Sequence, residues 1–209
     1  MTNLAYPRLS GAATVAAPVL LLLSTISYIT AGDGMNAGEA GGAIQVWAMI
    51  AFALATVSLS RLLERPAPRA AAALTAIGLI GAAGGVGYGI DSIQAAIFHT
   101  GSIQETDSAV GPLALQLPGV LFPLSLIGLG VMLARTGVVA RWSGWMLVAG
   151  ALLFPLARIP DVEALAIVGD AMLLIALVPL GWQMIRGAIS GHLQPERKST
   201  VVQAATAQP

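Results

Sequence analysis

Two aspartates, three amides, three aromatic side chains and one arginine are the groups on which any chemistry of this chain must rest. Asp91 ends the glycine-rich run GGVGYGID, and Asp170 lies within AIVGDAMLLIAL, so both carboxyls fall inside hydrophobic sequence. A carboxyl there is costly and faces a bundle interior, a partner or water. Apolar surroundings favour the neutral acid, which can donate a proton. A neighbouring arginine favours the carboxylate, which holds structure or binds a cation. Tyr88, Asp91 and Gln94 are spaced by three and share one side of a helix. At 1.5 Å per residue, Asp91 sits roughly 10 Å inside its helix end. Tyr28, Gln45, Trp47, Gln116 and Asp170 fall at comparable depth, and Arg158 closes a helix at the same surface.

This pattern predicts a polar pocket in one leaflet. Asp91 and Asp170 are its candidate catalytic acids; Tyr28, Gln45, Trp47, Tyr88, Gln94, Gln116 and Arg158 are its candidate substrate-binding groups. The simpler alternative is that Arg158 pairs with Asp91 or Asp170 and locks three helix ends together. No metal is expected, because no histidine and carboxylate cluster has ligand spacing. The two histidines, one of them in the C-terminal tail, leave no bis-histidine haem site. His99 reads as an interfacial residue. With no cysteine, there is neither a disulfide framework nor a thiol nucleophile. The glycines lack a strand–turn–helix setting for phosphate, and no serine lies in a nucleophile elbow. No cofactor and no nucleic-acid partner are expected.

The elements that must position these groups are membrane helices. Of 209 residues, 56% are hydrophobic and only 10% charged, and the mean hydropathy is +0.82. Soluble domains carry about a quarter charged residues. Apolar runs occur at roughly 11–31, 43–62, 71–98, 112–134, 142–158 and 164–186, and about 20 such residues cross a bilayer core. The fold class is therefore all-α, a bundle of six transmembrane helices over residues 1–186. The first run is too long for a signal-peptide core and reads as a retained helix. Residues 187–209 read as a disordered cytoplasmic tail. Gly81, Gly85 and Gly89, four apart, form a small-residue stripe suited to close helix packing in lipid. The stripe places helix 3 at the centre of the bundle. Pro118 and Pro123 break the fourth run beside Gln116, releasing the carbonyls of Ala114 and Gly119.

A repeat of three helical hairpins is faintly visible, with returning segments Gln45 to Arg61, Gln116 to Arg135 and Asp170 to Arg186. Duplicated units of this kind place sites on their pseudo-symmetry axis.

In size, helical character and intramembrane acids the chain resembles the small integral-membrane terpene cyclases. That resemblance implies that Asp91 or Asp170 protonates an alkene or epoxide of an isoprenoid-type substrate to start a cyclisation or isomerisation, and that aromatic faces stabilise the cation. An aromatic content of 5% is low for such a pocket. Two other classes stay open. One is a structural or accessory subunit docked through its glycine faces; the other is a transport component acting as an oligomer. The expected partners are the lipid bilayer, a lipophilic small molecule, and either further copies of the chain or another membrane protein.

Arginines set the expected orientation. Arg8, Arg61, Arg65, Arg69, Arg135, Arg141, Arg186, Arg197 and Lys198 fall on one side, with only Arg158 on the other. Positive residues stay in the cytoplasm, which predicts a multi-pass protein of the cell membrane with both termini cytoplasmic. Because the chain has no cysteine, labelling of single-cysteine variants tests this cleanly. Gly34→Cys and Asp107→Cys should react with an impermeant maleimide on intact cells, and Arg65→Cys should not. The reverse pattern would show an inverted protein.

Overall fold

The computed structural model describes residues 5–32, 34–103 and 109–189. Asp33, Glu105, Asp107 and the tail beyond residue 189 lie outside them. The described chain is helical throughout its spans: α1 Ala5–Ala31, α2 Glu39–Leu62, α3 Pro68–Phe98, α4 Leu117–Thr136, α5 Arg141–Arg158 and α6 Glu163–Ile185. A π-helical turn, Pro112–Gln116, leads into α4. Five of these spans are long and apolar enough to cross a membrane. The sixth helix, α5, has 18 residues bounded by Arg141 and Arg158.

Local chemistry explains the boundaries. Pro68 stands at the first turn of α3, where its missing N–H would have had no helical partner. Gly137 follows α4 at φ 67°, a left-handed conformation that glycine adopts without Cβ strain. The π-helical turn follows from Pro118. With no N–H at that position, the carbonyl of Ala114 loses its α-helical donor, and the preceding amide, Leu117, donates to Pro112 five residues back in place of Leu113.

The six helices form a closed ring. Each packs antiparallel on its sequence neighbour, and α6 returns to pack on α1. The expected central position of α3 is therefore corrected: α3 is one wall of the ring, packed between α2 and α4. Its glycines divide between two neighbours rather than forming one stripe. A Cβ added to Gly81 or Gly84 would strike Phe122 or Pro118 of α4, and one added to Gly85 or Gly89 would strike Met49 or Gly42 of α2. A ring requires two contact faces per helix, and α3 supplies small residues to both.

Glycines meet in pairs at several seams. Gly11 lies against Gly181 between α1 and α6, Gly42 against Gly89 between α2 and α3, and Gly130 against Gly144 between α4 and α5. In each pair a Cβ on either partner would meet the other's carbonyl oxygen at 2.5–2.8 Å. With lipid tails as apolar as leucine, such backbone proximity supplies the dispersion contacts that hold helices together.

Seen along the ring, its two ends differ. The exposed arginines Arg8, Arg61, Arg65, Arg69, Arg135, Arg141 and Arg186 collect at one end, called here the arginine end. That half is filled by Leu59, Leu129, Leu133, Leu147 and Leu177, which belong to one continuous apolar cluster. The outward faces carry Leu54, Ile80, Leu124, Leu152 and Ile175, all well exposed. An apolar girdle of this kind suits lipid rather than water.

Replacing Gly89 by leucine should force α2 and α3 apart at the Gly42 carbonyl. Overpacking of this type costs about 1–3 kcal/mol, so the variant should melt several degrees below the parent in detergent. Ala83→Leu, on an exposed position of the same helix, should be nearly silent. Equal melting temperatures for the two would show that the α2–α3 seam does not carry the packing assigned to it.

Candidate functional site

The end opposite the arginines is where the polar interior residues gather. α2 contributes Gln45, buried and held at both ends of its amide. Its Oε1 accepts from the Tyr28 hydroxyl at 3.0 Å, and its Nε2 donates to the Gly85 carbonyl at 3.1 Å. Gln45 thus ties α1, α2 and α3 together. Tyr28 is spent in that role and does not reach open space, since its ring packs where Gly41 leaves room.

α5 contributes Arg158, whose partner is Asp170 of α6. The shortest contact of this pair, Nη2 to Oδ2, is 3.1 Å. Thr25 of α1 completes a closed triad. Its hydroxyl donates to Asp170 Oδ2 at 2.5 Å and accepts from Arg158 Nη2 at 2.8 Å. Asp170 is 0% exposed and the Arg158 side chain 12% exposed. One turn earlier, Phe154 places its ring 3.9 Å beneath the guanidinium, a contact that spacing by four makes natural. Phe154 also meets Phe122 edge-on, and Phe122 meets Phe52 likewise, with centroids 5.3 and 5.0 Å apart.

Between these groups lies a cavity of about 470 Å³, walled by α2, α3, α4 and α5. Met49, Phe122, Pro123 and Phe154 give it an apolar floor; Asn36, Gln45, Tyr88, Gln116 and Arg158 give it polar groups. Val120 and Ile159 line it and are also well exposed, so its wall reaches the molecular surface at α4 and α5. The π-helical turn ends at Gln116, at the wall of this cavity.

Of the nine residues singled out from the sequence, four line the cavity: Gln45, Tyr88, Gln116 and Arg158. Asp170 and Tyr28 support it from behind, through Arg158 and Gln45. Three lie elsewhere. Trp47 is 65% exposed on the outer face of α2, and Gln94 is exposed near the end of α3. Asp91 is 4% exposed but turned to the loop after α3. Its Oδ2 accepts from the Ser102 hydroxyl at 2.5 Å and its Oδ1 from the Ile103 amide at 2.9 Å. The expectation that Tyr88, Asp91 and Gln94 share a site fails for a geometric reason. Three residues advance an α-helix by about 300°, so each member lags the last by about 60° and Gln94 stands about 120° from Tyr88. Only Tyr88 stays directed at the cavity.

Asn36, Met49, Phe122 and Phe154 were not anticipated. Phe154 was findable from its spacing to Arg158; Asn36 lies in the α1–α2 loop and carries no sequence signal. Among the described residues, no group of three or more metal-ligating side chains occurs. No protein-family model matches the chain, and neither a curated protein nor a solved structure matches it.

Proposed function

We propose that this cavity binds a lipid-soluble small molecule, with its apolar body on the Phe122–Phe154 floor and its polar end toward Tyr88, Gln116 and Arg158. The observation that carries this reading is unused hydrogen-bonding capacity at the wall of a cavity of ligand size. Among the described residues, the Tyr88 hydroxyl, the Gln116 amide and Arg158 Nε make no hydrogen bond, whereas Gln45 and Asp170 are satisfied by protein groups. Pockets for small ligands combine a mostly apolar lining with a few converging polar groups, in volumes of roughly 300–1,000 Å³.

Acid-initiated cyclisation draws no support from this geometry. Neither Asp91 nor Asp170 lines the cavity, and both accept hydrogen bonds within the protein. We take the chain as a multi-pass membrane protein with the arginine end cytoplasmic, which places the cavity in the opposite leaflet. A ligand then arrives from the bilayer, past Val120 and Ile159.

The test is the melting temperature of the protein in lipid nanodiscs with retinol or 1-dodecanol. A ligand at 100 times its Kd stabilises by about 2.7 kcal/mol; at about 2–4 °C per kcal/mol for a chain of this length, the shift is on the order of 5–11 °C. The double variant Tyr88→Phe with Gln116→Leu should lose most of that shift, since each ligand hydrogen bond contributes about 0.5–1.5 kcal/mol. No shift in the parent, or an equal shift in the double variant, would remove the proposal.

A further inference from the structure

We infer that the cavity selects a ligand whose polar end is an uncharged hydrogen-bond acceptor, such as an ester, ketone or ether oxygen, and that Asp170 sets this preference. The inference rests on the binding reading above and assigns its ligand class.

Charge bookkeeping at the cavity carries it. Arg158 is the one ionisable cation or carboxylate among the lining residues. Read alone, an arginine facing an apolar cavity would mark a site for a carboxylate or phosphate. Here its charge is already matched by a fully buried carboxylate, bonded to Nη1 at 3.4 Å and to Nη2 at 3.1 Å. Thr25 closes the remaining edge of that pair. The triad is neutral as a whole. A second anion would enter low-dielectric surroundings without a counter-charge, which is strongly unfavourable. An ammonium would meet the guanidinium, because Asp170 lies behind it with no exposed surface.

What the cavity offers instead is donors. Arg158 Nε, the Tyr88 hydroxyl and the Gln116 amide have no acceptor among the described residues, while Phe154 covers one face of the guanidinium. A ligand carbonyl or ether oxygen satisfies such donors and adds no net charge. Asp170 touches no ligand in this scheme; it is a positioning residue that holds Arg158 and cancels its charge.

The experiment compares three probes of one chain length, methyl laurate, laurate and dodecylammonium, binding to the protein in nanodiscs of uncharged lipid. Each is corrected for its partition into empty nanodiscs. The parent should bind methyl laurate at least tenfold more tightly than either ion. Asp170→Asn should invert the order of methyl laurate and laurate, because the guanidinium is then unmatched. Should that variant fail to fold, the parent's own order of the three probes decides. Laurate bound by the parent as tightly as methyl laurate would overturn the inference while leaving the cavity reading intact. Saturable binding of none of the three would overturn both.

Discussion

An arginine set in apolar sequence has its charge neutralised in place, and the half of this ring opposite the arginine end is built around one that does. Arg158 lacks the company of the other arginines and ends its helix at the opposite end of the bundle. Asp170 answers its charge, and Thr25 fills the last position of the triad. These three residues come from α5, α6 and α1. The first and last helices of the chain are therefore fastened at this end by Thr25 and Asp170, and at the arginine end by the close approach of Gly11 and Gly181. Ring closure, which no covalent link enforces, is held at two heights by two kinds of contact.

The same ring divides its labour lengthwise. In the arginine half, leucines from several helices fill the interior. In the other half, bulk gives way to Gln45, Tyr88, Gln116 and Arg158, and the helices are less regular. Pro118 forces a π-helical turn and Pro155 interrupts α5 one turn before its end. Irregular backbone at membrane depth is tolerated where protein or a cavity satisfies it, and here it borders the cavity. Gln45 joins three helices in this half, its Oε1 accepting from Tyr28 and its Nε2 donating to the Gly85 carbonyl.

Much of the fold was legible in the sequence. Helix ends fell within a few residues of the apolar runs, and the separation of arginines forecast which ends lie together. Depth along each helix was legible too, which is why Gln45, Gln116, Tyr88 and Arg158 do converge. Rotation about each helix axis was not. A helix apolar on every side offers no stripe to set its phase, and so Trp47 and Gln94 were placed inward when they face out. Asp91 shows the same gap. Its depth was right, but its direction was toward the Ser102–Ile103 loop and not toward Arg158. The glycines of α3 misled for a related reason: spacing by four marks a close-packed face, yet Gly84 and Gly81 turn that closeness to a second neighbour. Thr25 carried no signal at all, because a hydroxyl in an apolar helix ordinarily bonds its own backbone.

Arg158 is matched by Asp170 and not by Asp91, and a double-mutant cycle on Arg158 and Asp170 tests this most directly. Breaking a buried pair by removing one partner costs about 3–5 kcal/mol, while removing both restores much of the loss. Unfolding in detergent should therefore show Asp170→Asn and Arg158→Gln each strongly destabilised, with the combined variant close to the parent. Additive losses at Arg158 and Asp170, together with recovery when Arg158→Gln is combined with Asp91→Asn, would contradict it.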